Sequence, residues 1–153
     1  MTIVLCAANL SSSSTMLARN VSRYNNGVSF PFDIVIVKSG GVAGPSVTSV
    51  LSYDSLSKIA TSILGNNVTT RQISDSDEQV AKRVLNNSGF FSLNASFYLP
   101  ASGSSDYVEY TAVATLKGRA HAVYWTDTSE GVPEGIRNLP YIMAYLLGTE
   151  RVS

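Results

Sequence analysis

The chain has 153 residues, eleven acidic and eleven basic side chains, and a charged fraction of 14%, well below the roughly 25% of an ordinary soluble domain. With no net charge and no basic run, it lacks the electrostatic footprint of a nucleic-acid binder, and no nucleic-acid partner is expected. A single Cys and a single His exclude an intramolecular disulfide and a zinc site built from His and Cys ligands, while the length suffices to bury a core without either.

Residues 1–31 read as a Ser/Asn-rich N-terminal arm, with the run Ser11-Ser12-Ser13-Ser14, the turn pair Asn26-Gly27 and Pro31 at its close. Thr2 to Ala8 are mostly apolar, but the stretch is too short to span a bilayer and has no basic flank, so no transmembrane segment is expected. Residues 32–153 read as a single α+β domain, a small antiparallel sheet with two main helices packed on one face. The arm is the segment through which homo- or hetero-oligomer contacts are expected.

Within the domain, Ile34-Val35-Ile36-Val37 is a continuous β-branched run, short enough for a buried strand. Ser39-Gly40-Gly41-Val42-Ala43-Gly44-Pro45 breaks it with three glycines and a proline, as a tight exposed loop does. Residues 46–52 read as a second strand. Lys58 to Leu64 and Val68 to Ile73 flank Gly65-Asn66-Asn67, which is hairpin-turn chemistry. Leu56, Ile59, Ala60 and Ile63 also have helical spacing, so a helix over 55–64 is the competing pattern.

A helix is predicted after Ser74 or Ser76, with Asp75, Asp77 and Glu78 at its positive end and Gln79 completing a capping box with Ser76. Val80, Ala81, Val84 and Leu85 make its apolar stripe, and Gly89 ends it. Phe90 and Phe91 follow, and one or both rings are expected in the core. Residues 94–106 read as a surface loop.

The clearest hairpin spans 107–127 around the two-residue turn Lys117-Gly118. That turn sets Leu116 against Arg119, Ala114 against His121, Ala112 against Val123 and Tyr110 against Trp125. One face is then apolar, carrying Val108, Tyr110, Ala112, Ala114, Leu116, Val123 and Trp125. The other is mixed and expected to be mostly wet. A last helical stretch from Pro133 carries Ile136, Leu139, Ile142, Met143, Leu146 and Leu147, is kinked or split at Pro140, and ends at Gly148.

The order of several short motifs is similar to one known family. Val37-Lys38-Ser39-Gly40-Gly41-Val42-Ala43-Gly44 comes first, then a helix ending in Gly89-Phe90-Phe91-Ser92-Leu93. Tyr110 leads into Gly118-Arg119-Ala120-His121-Ala122-Val123 and Thr126-Asp127, followed by Pro133-Glu134-Gly135-Ile136. Together, over residues 33–147, they resemble the emfourin-like proteins. The resemblance implies a small antiparallel sheet with helices on one face and a protein partner, a thermolysin-like metalloprotease that the family's type member inhibits. It also implies that Ser39, Gly40, Gly41, Val42, Ala43 and Gly44 form the partner-binding loop. The residues themselves leave a plain tight turn as the competing reading. The arm and residues 53–73 fall outside the family's pattern.

Catalytic residues are not expected. His121 lies mid-strand on the presumed core face, there is no Gly-x-Ser-x-Gly elbow, and no Walker lysine follows Ser39-Gly40-Gly41. Asp75, Asp77 and Glu78, and likewise Asp127 with Glu130, read as helix-end charges, and EF-hand spacing is absent. The protein is expected not to be an enzyme and to hold neither metal nor cofactor.

Five Asn-x-Ser/Thr triplets, at Asn9, Asn20, Asn67, Asn86 and Asn94, exceed the about two that chance would place among ten Asn in a chain with 34 Ser plus Thr. All are candidate N-glycosylation sites. They favour an extracytoplasmic location, secreted or at a cell surface. The expected partner is therefore a protein, either a protease or a neighbouring subunit of a glycosylated surface layer, filament or membrane-associated assembly.

Overall fold

The computed structural model describes residues 31–41, 48–94 and 96–148; the N-terminal arm through residue 30 with its Asn9 and Asn20 sites, Val42 to Gly44 of the expected loop, and residues 46–47 of the expected second strand lie outside the described residues. Among the described residues ten elements follow in order. They are β1 (Asp33–Gly40), β2 (Ser49–Asp54), β3 (Ile59–Leu64), β4 (Asn67–Gln72), α1 (Asp75–Asn87), a 3-10 turn (Phe90–Ser92), β5 (Val108–Leu116), β6 (Arg119–Thr126), α2 (Glu134–Arg137) and α3 (Leu139–Leu146). The strands form one six-stranded sheet in the order β4-β3-β2-β1-β5-β6, each neighbour antiparallel. This is the α+β architecture expected.

Both hairpins close with two-residue turns. Leu64 pairs with Asn67 across Gly65-Asn66, so 59–72 is a hairpin and the helical spacing of Leu56, Ile59, Ala60 and Ile63 does not produce a helix. Lys58, expected in the strand, instead takes the turn before it with φ 55°. In the second hairpin Leu116 pairs with Arg119, Ala114 with His121, Ala112 with Val123 and Tyr110 with Trp125, the register that the Lys117-Gly118 turn predicts. β2 runs to Asp54 rather than stopping at residue 52.

Helix α1 is capped by Ser74, not Ser76. Its hydroxyl accepts the Asp77 N–H at 3.2 Å and donates to Asp77 Oδ2 at 2.9 Å, so Asp77 rather than Gln79 completes the cap. The inward stripe also differs: Glu78, Ala81 and Leu85 are buried and Val84 packs beside them, whereas Val80 faces out. A glutamate tolerates the inward position because Tyr53 Oη donates to its Oε2 at 2.6 Å and Lys82 pairs with its Oε1. A buried carboxylate with charge-assisted partners is satisfied; an unpaired one is not.

The core lies between the helices and one face of the sheet. Phe32, Ile34, Ile36, Leu51, Tyr53, Ala60, Tyr110, Ala112, Ala114, Val123 and Trp125 meet Ala81, Leu85, Phe90, Ile136, Leu139, Met143 and Leu147. Phe90 is fully buried and Phe91 packs partly beside it. The last helical stretch is split into α2 and α3, as expected, and Pro140 sits in the first turn of α3, where a proline lacks an N–H that would be unbonded anyway. Gly135 in α2 lets that segment rest on the end of α1, where a Cβ would meet Ser88 Cα at 3.0 Å. Among the described residues no helix is long and apolar enough to cross a membrane.

Candidate functional site

The helix-covered face of the sheet is not covered throughout. α1 meets the sheet at Tyr53 of β2 and Arg71 of β4, the turn Phe90–Ser92 packs on β6, and beside α3 the floor is open along β1 to β4. The result is a groove of about 500 Å³. Register explains its lining. Lys38, Ser49, Leu64 and Asn67 are consecutive partners across β1, β2, β3 and β4 and therefore share a face, as do Ile36, Leu51, Ser62 and Thr69 one step along. The opposite wall is α3, through Pro140, Tyr141 and Ala144, with Tyr110 and Val108 at the corner.

The groove's floor is mixed, with Ile36, Leu51 and Leu64 beside Lys38, Ser49, Ser62, Asn67 and Thr69. Tyr141 on α3 and Leu64 on β3 both line the groove, at 59% and 53% exposure, and Tyr145, one turn beyond Tyr141, is 73% exposed. The Tyr110 and Tyr141 hydroxyls lie 3.2 Å apart. Burial, and then the hydrogen bond to Tyr141, push the Tyr110 phenol well above its ordinary range, so it stays a neutral donor. Lys38 supplies the groove's charge and makes no ion pair among the described residues.

The groove ends at the glycine turn. Gly40 has φ 90°, and a Cβ there would lie 2.6 Å from the Tyr107 carbonyl oxygen; Gly41 follows at φ 109°. Side-chain-bearing residues are disfavoured in this region, so the two glycines are required by the exit of β1 itself. Ser39 Oγ donates to Glu109 Oε2 at 3.4 Å on the other face of the sheet. Of the six expected loop residues, then, Ser39, Gly40 and Gly41 root the loop at the groove's end, and the tip from Val42 lies outside the described residues.

The remaining candidates disperse. His121 packs edge-on against Phe90 at 5.4 Å between ring centres, away from the groove lining. Asp127 does not act as a helix-end charge: its Oδ1 accepts the Val108 N–H at 3.0 Å, while Arg137 donates to the Asp127 and Ser129 carbonyls and locks the corner after β6. Residues 94–106 are not wholly loop, since Tyr98 N–H donates to Tyr124 O at 3.0 Å and Tyr124 N–H to Ser96 O at 2.9 Å, forming a bridge beside β6. Asn67, Asn86 and Asn94 are all exposed, and Asn67 sits on the groove rim.

Among the described residues no group of three His, Cys, Asp or Glu side chains is placed to hold a metal ion. What the arrangement offers chemically is phenols, backbone at a strand end and one cation around a floor of mixed polarity. Lys38, Leu64 and Tyr141 were missed as site residues in the sequence because they come from three distant segments. Their one sequence signal is Tyr141 and Tyr145, two tyrosines four apart on the polar side of the last helix. No protein-family model matches this chain, and no curated protein matches it.

Proposed function

We propose that this protein is a non-catalytic, extracytoplasmic protein-binding module that engages its partner with the Ser39–Gly44 loop and the groove behind it. In this reading it resembles an emfourin-like inhibitor and blocks the cleft of a thermolysin-like metalloprotease sterically, without supplying a zinc ligand. The supporting observation is the open groove rooted at the glycine turn: exposed tyrosines and a floor of mixed polarity beside a strand end suit a protein partner. A stable complex would bury roughly 1,200–2,000 Å².

The test is a titration of the full chain into a thermolysin-like protease hydrolysing a peptide substrate. Competitive inhibition weakened by Tyr141→Ala and by Lys38→Glu supports the reading. Undiminished hydrolysis with the chain in large excess overturns it.

A second reading, a glycosylated structural or accessory subunit of a surface assembly, is favoured by the exposed triplets at Asn67, Asn86 and Asn94. Intact mass of the protein from its native source separates the two. Glycans on a higher-order particle support the subunit, and an unmodified free chain removes it.

A further inference from the structure

Strand β4 ends the sheet, and all six of its residues are exposed. Its inner edge pairs with β3 in an unbroken register, from Leu64 with Asn67 to Ile59 with Gln72. In a hairpin closed by a two-residue turn, the pair beside the turn is hydrogen-bonded, and bonded pairs then alternate. Asn67, Thr69 and Arg71 therefore spend their backbone groups on β3, as Ile73 does where its N–H donates to Lys58 O at 2.8 Å. Val68, Thr70 and Gln72 turn theirs outward, where no partner meets them among the described residues. The same alternation turns Tyr124 and Thr126 of β6 outward, and there the chain supplies partners. Tyr124 bonds Ser96 and Tyr98, and Thr126 N–H donates to Ser129 Oγ at 2.9 Å, which leaves Ala120 and Ala122 beside the turn. Natural sheets guard a free edge with lysine, proline, a bulge or a covering segment. β4 has none of these, and its one charge, Arg71, is drawn to Asp77 of α1 at 3.5 Å.

We propose that the outer edge of β4 is a docking site for an extended segment of a protein partner, which joins the sheet as a seventh strand. The ligand class follows from the chemistry of the edge. Its N–H and C=O groups recur at every second residue, about 6.8 Å apart, and another extended backbone matches that repeat. The segment's side chains beside Val68 and Thr70 are β-branched and uncharged, as cross-strand pairing with valine and threonine favours. The edge is also continuous with the groove. Asn67 and Thr69 of the same strand line it, and the β3–β4 turn lies at the end of the sheet where β1 leaves through Gly40 and Gly41. A second copy of β4 fits less well. Outward residues pair with outward ones, so the register with most bonds centres on Thr70 and sets Arg71 opposite Thr69 of the copy. The two Arg71 side chains then lie diagonal on one face, like-charged and within each other's reach. The inference rests on the reading of the partner as a protein, but not on its being a protease.

The experiment is amide hydrogen exchange of the full chain by NMR, alone and with a millimolar peptide of alternating threonine and valine flanked by lysines. A fully N-methylated copy of the peptide, which cannot donate to the edge, is the control. Thr70→Pro removes one outward N–H without touching the β3 pairing, as an edge strand permits, and circular dichroism reports whether it folds. The expected result is fast exchange at Val68, Thr70 and Gln72 in the free chain, slowed at least about threefold by the peptide. The methylated copy leaves exchange unchanged, and folded Thr70→Pro loses the slowing at Val68 and Gln72. No slowing, equal slowing with both peptides, or equal slowing in folded Thr70→Pro overturns the proposal. Protection already present in the free chain overturns it too, whether it comes from the chain's own residues or from a dimer seen in sedimentation. Protease inhibition without edge protection removes this site and leaves the functional reading, and edge protection without inhibition does the reverse.

Discussion

The two wings of the sheet are made by the same operation, a hairpin closed by a two-residue turn, yet they end in opposite environments. On β5 and β6 the helix-facing side chains Ala112, Ala114, Val123 and Trp125 are buried under the helices, and Trp125 stacks on Tyr110 at 5.3 Å. On β3 and β4 the same positions read Ala60, Ser62, Leu64, Asn67, Thr69 and Arg71, and every residue of β4 is exposed. Small residues around one large aromatic let helices approach the first wing. On the second wing only Ala60 is buried and Arg71 reaches Asp77 of α1, while the groove opens beside Ser62, Leu64, Asn67 and Thr69. Backbone pairing is equally regular in both wings, so it is side-chain burial that separates the packed wing from the open one.

The largest test of that contrast is a pair of truncations. Trp125→Ala is expected to cost about 3–5 kcal/mol, whereas Val68→Ala on β4 should change stability by less than about 0.5 kcal/mol. Urea unfolding of both variants measures the difference, and similar losses would abolish the distinction between wings. Gly40→Ala strikes the junction between them, where the new methyl would meet the Tyr107 carbonyl in a backbone region hostile to side chains. A loss of about 1–3 kcal/mol is expected. A melting temperature equal to the wild type would show that the β1 exit is not locked.

The contact between the β2 edge of the packed region and α1 is smaller and depends on pH. Tyr53→Phe removes the phenol that bonds Glu78 and should cost about 1–1.5 kcal/mol at neutral pH. Burial raises the pKa of Glu78, but the hydrogen bonds from Lys82 and Tyr53 outweigh it and hold the carboxyl below its ordinary 4.5. A carboxyl lowered by folding stabilises the fold above its unfolded pKa and loses that contribution as pH falls through its folded value. Stability should therefore decline below about pH 4.5 in the wild type, with a shallower acid limb in Glu78→Gln. Asp33, raised by burial, works in the opposite sense. Unfolding free energies measured from pH 7 down to pH 3 decide the matter, and an unchanged limb in Glu78→Gln would remove Glu78 from it. The smallest expected effect is a gain. Lys117 sits in the left-handed region at φ 52° in the β5–β6 turn. Lys117→Asn should therefore add about 0.5 kcal/mol to the packed wing. A loss on thermal melting would mean that the lysine side chain has a role in the turn.

Much of this architecture could be read from local pattern. Asn66 and Gly118 lie in two-residue turns, and with side chains alternating by two, a turn's position sets every facing pair in its hairpin. Ser74 followed by acidic residues marks the start of α1, and Pro140 divides the last helical stretch because its ring excludes the preceding turn. The candidate site was far less legible. Ser39, Gly40 and Gly41 drew notice as a motif, but nothing in the spacing of Lys38, Leu64 and Tyr141 places them around one space. Val80 appeared to belong to the buried stripe of α1 because it is apolar. Glu78 takes the inward position because Tyr53, 25 residues earlier, meets its carboxylate.

By itself, then, the sequence determined the hairpin registers, the helix ends and the poverty of charge. These follow from turn geometry, capping and composition, which act over a few residues. Only the tertiary structure decided that β5 returns beside β1, which places the β5–β6 hairpin under the helices and leaves β4 at an open edge. That choice rests on which distant surfaces bury the most apolar area together, a sum over the whole fold that no local window contains.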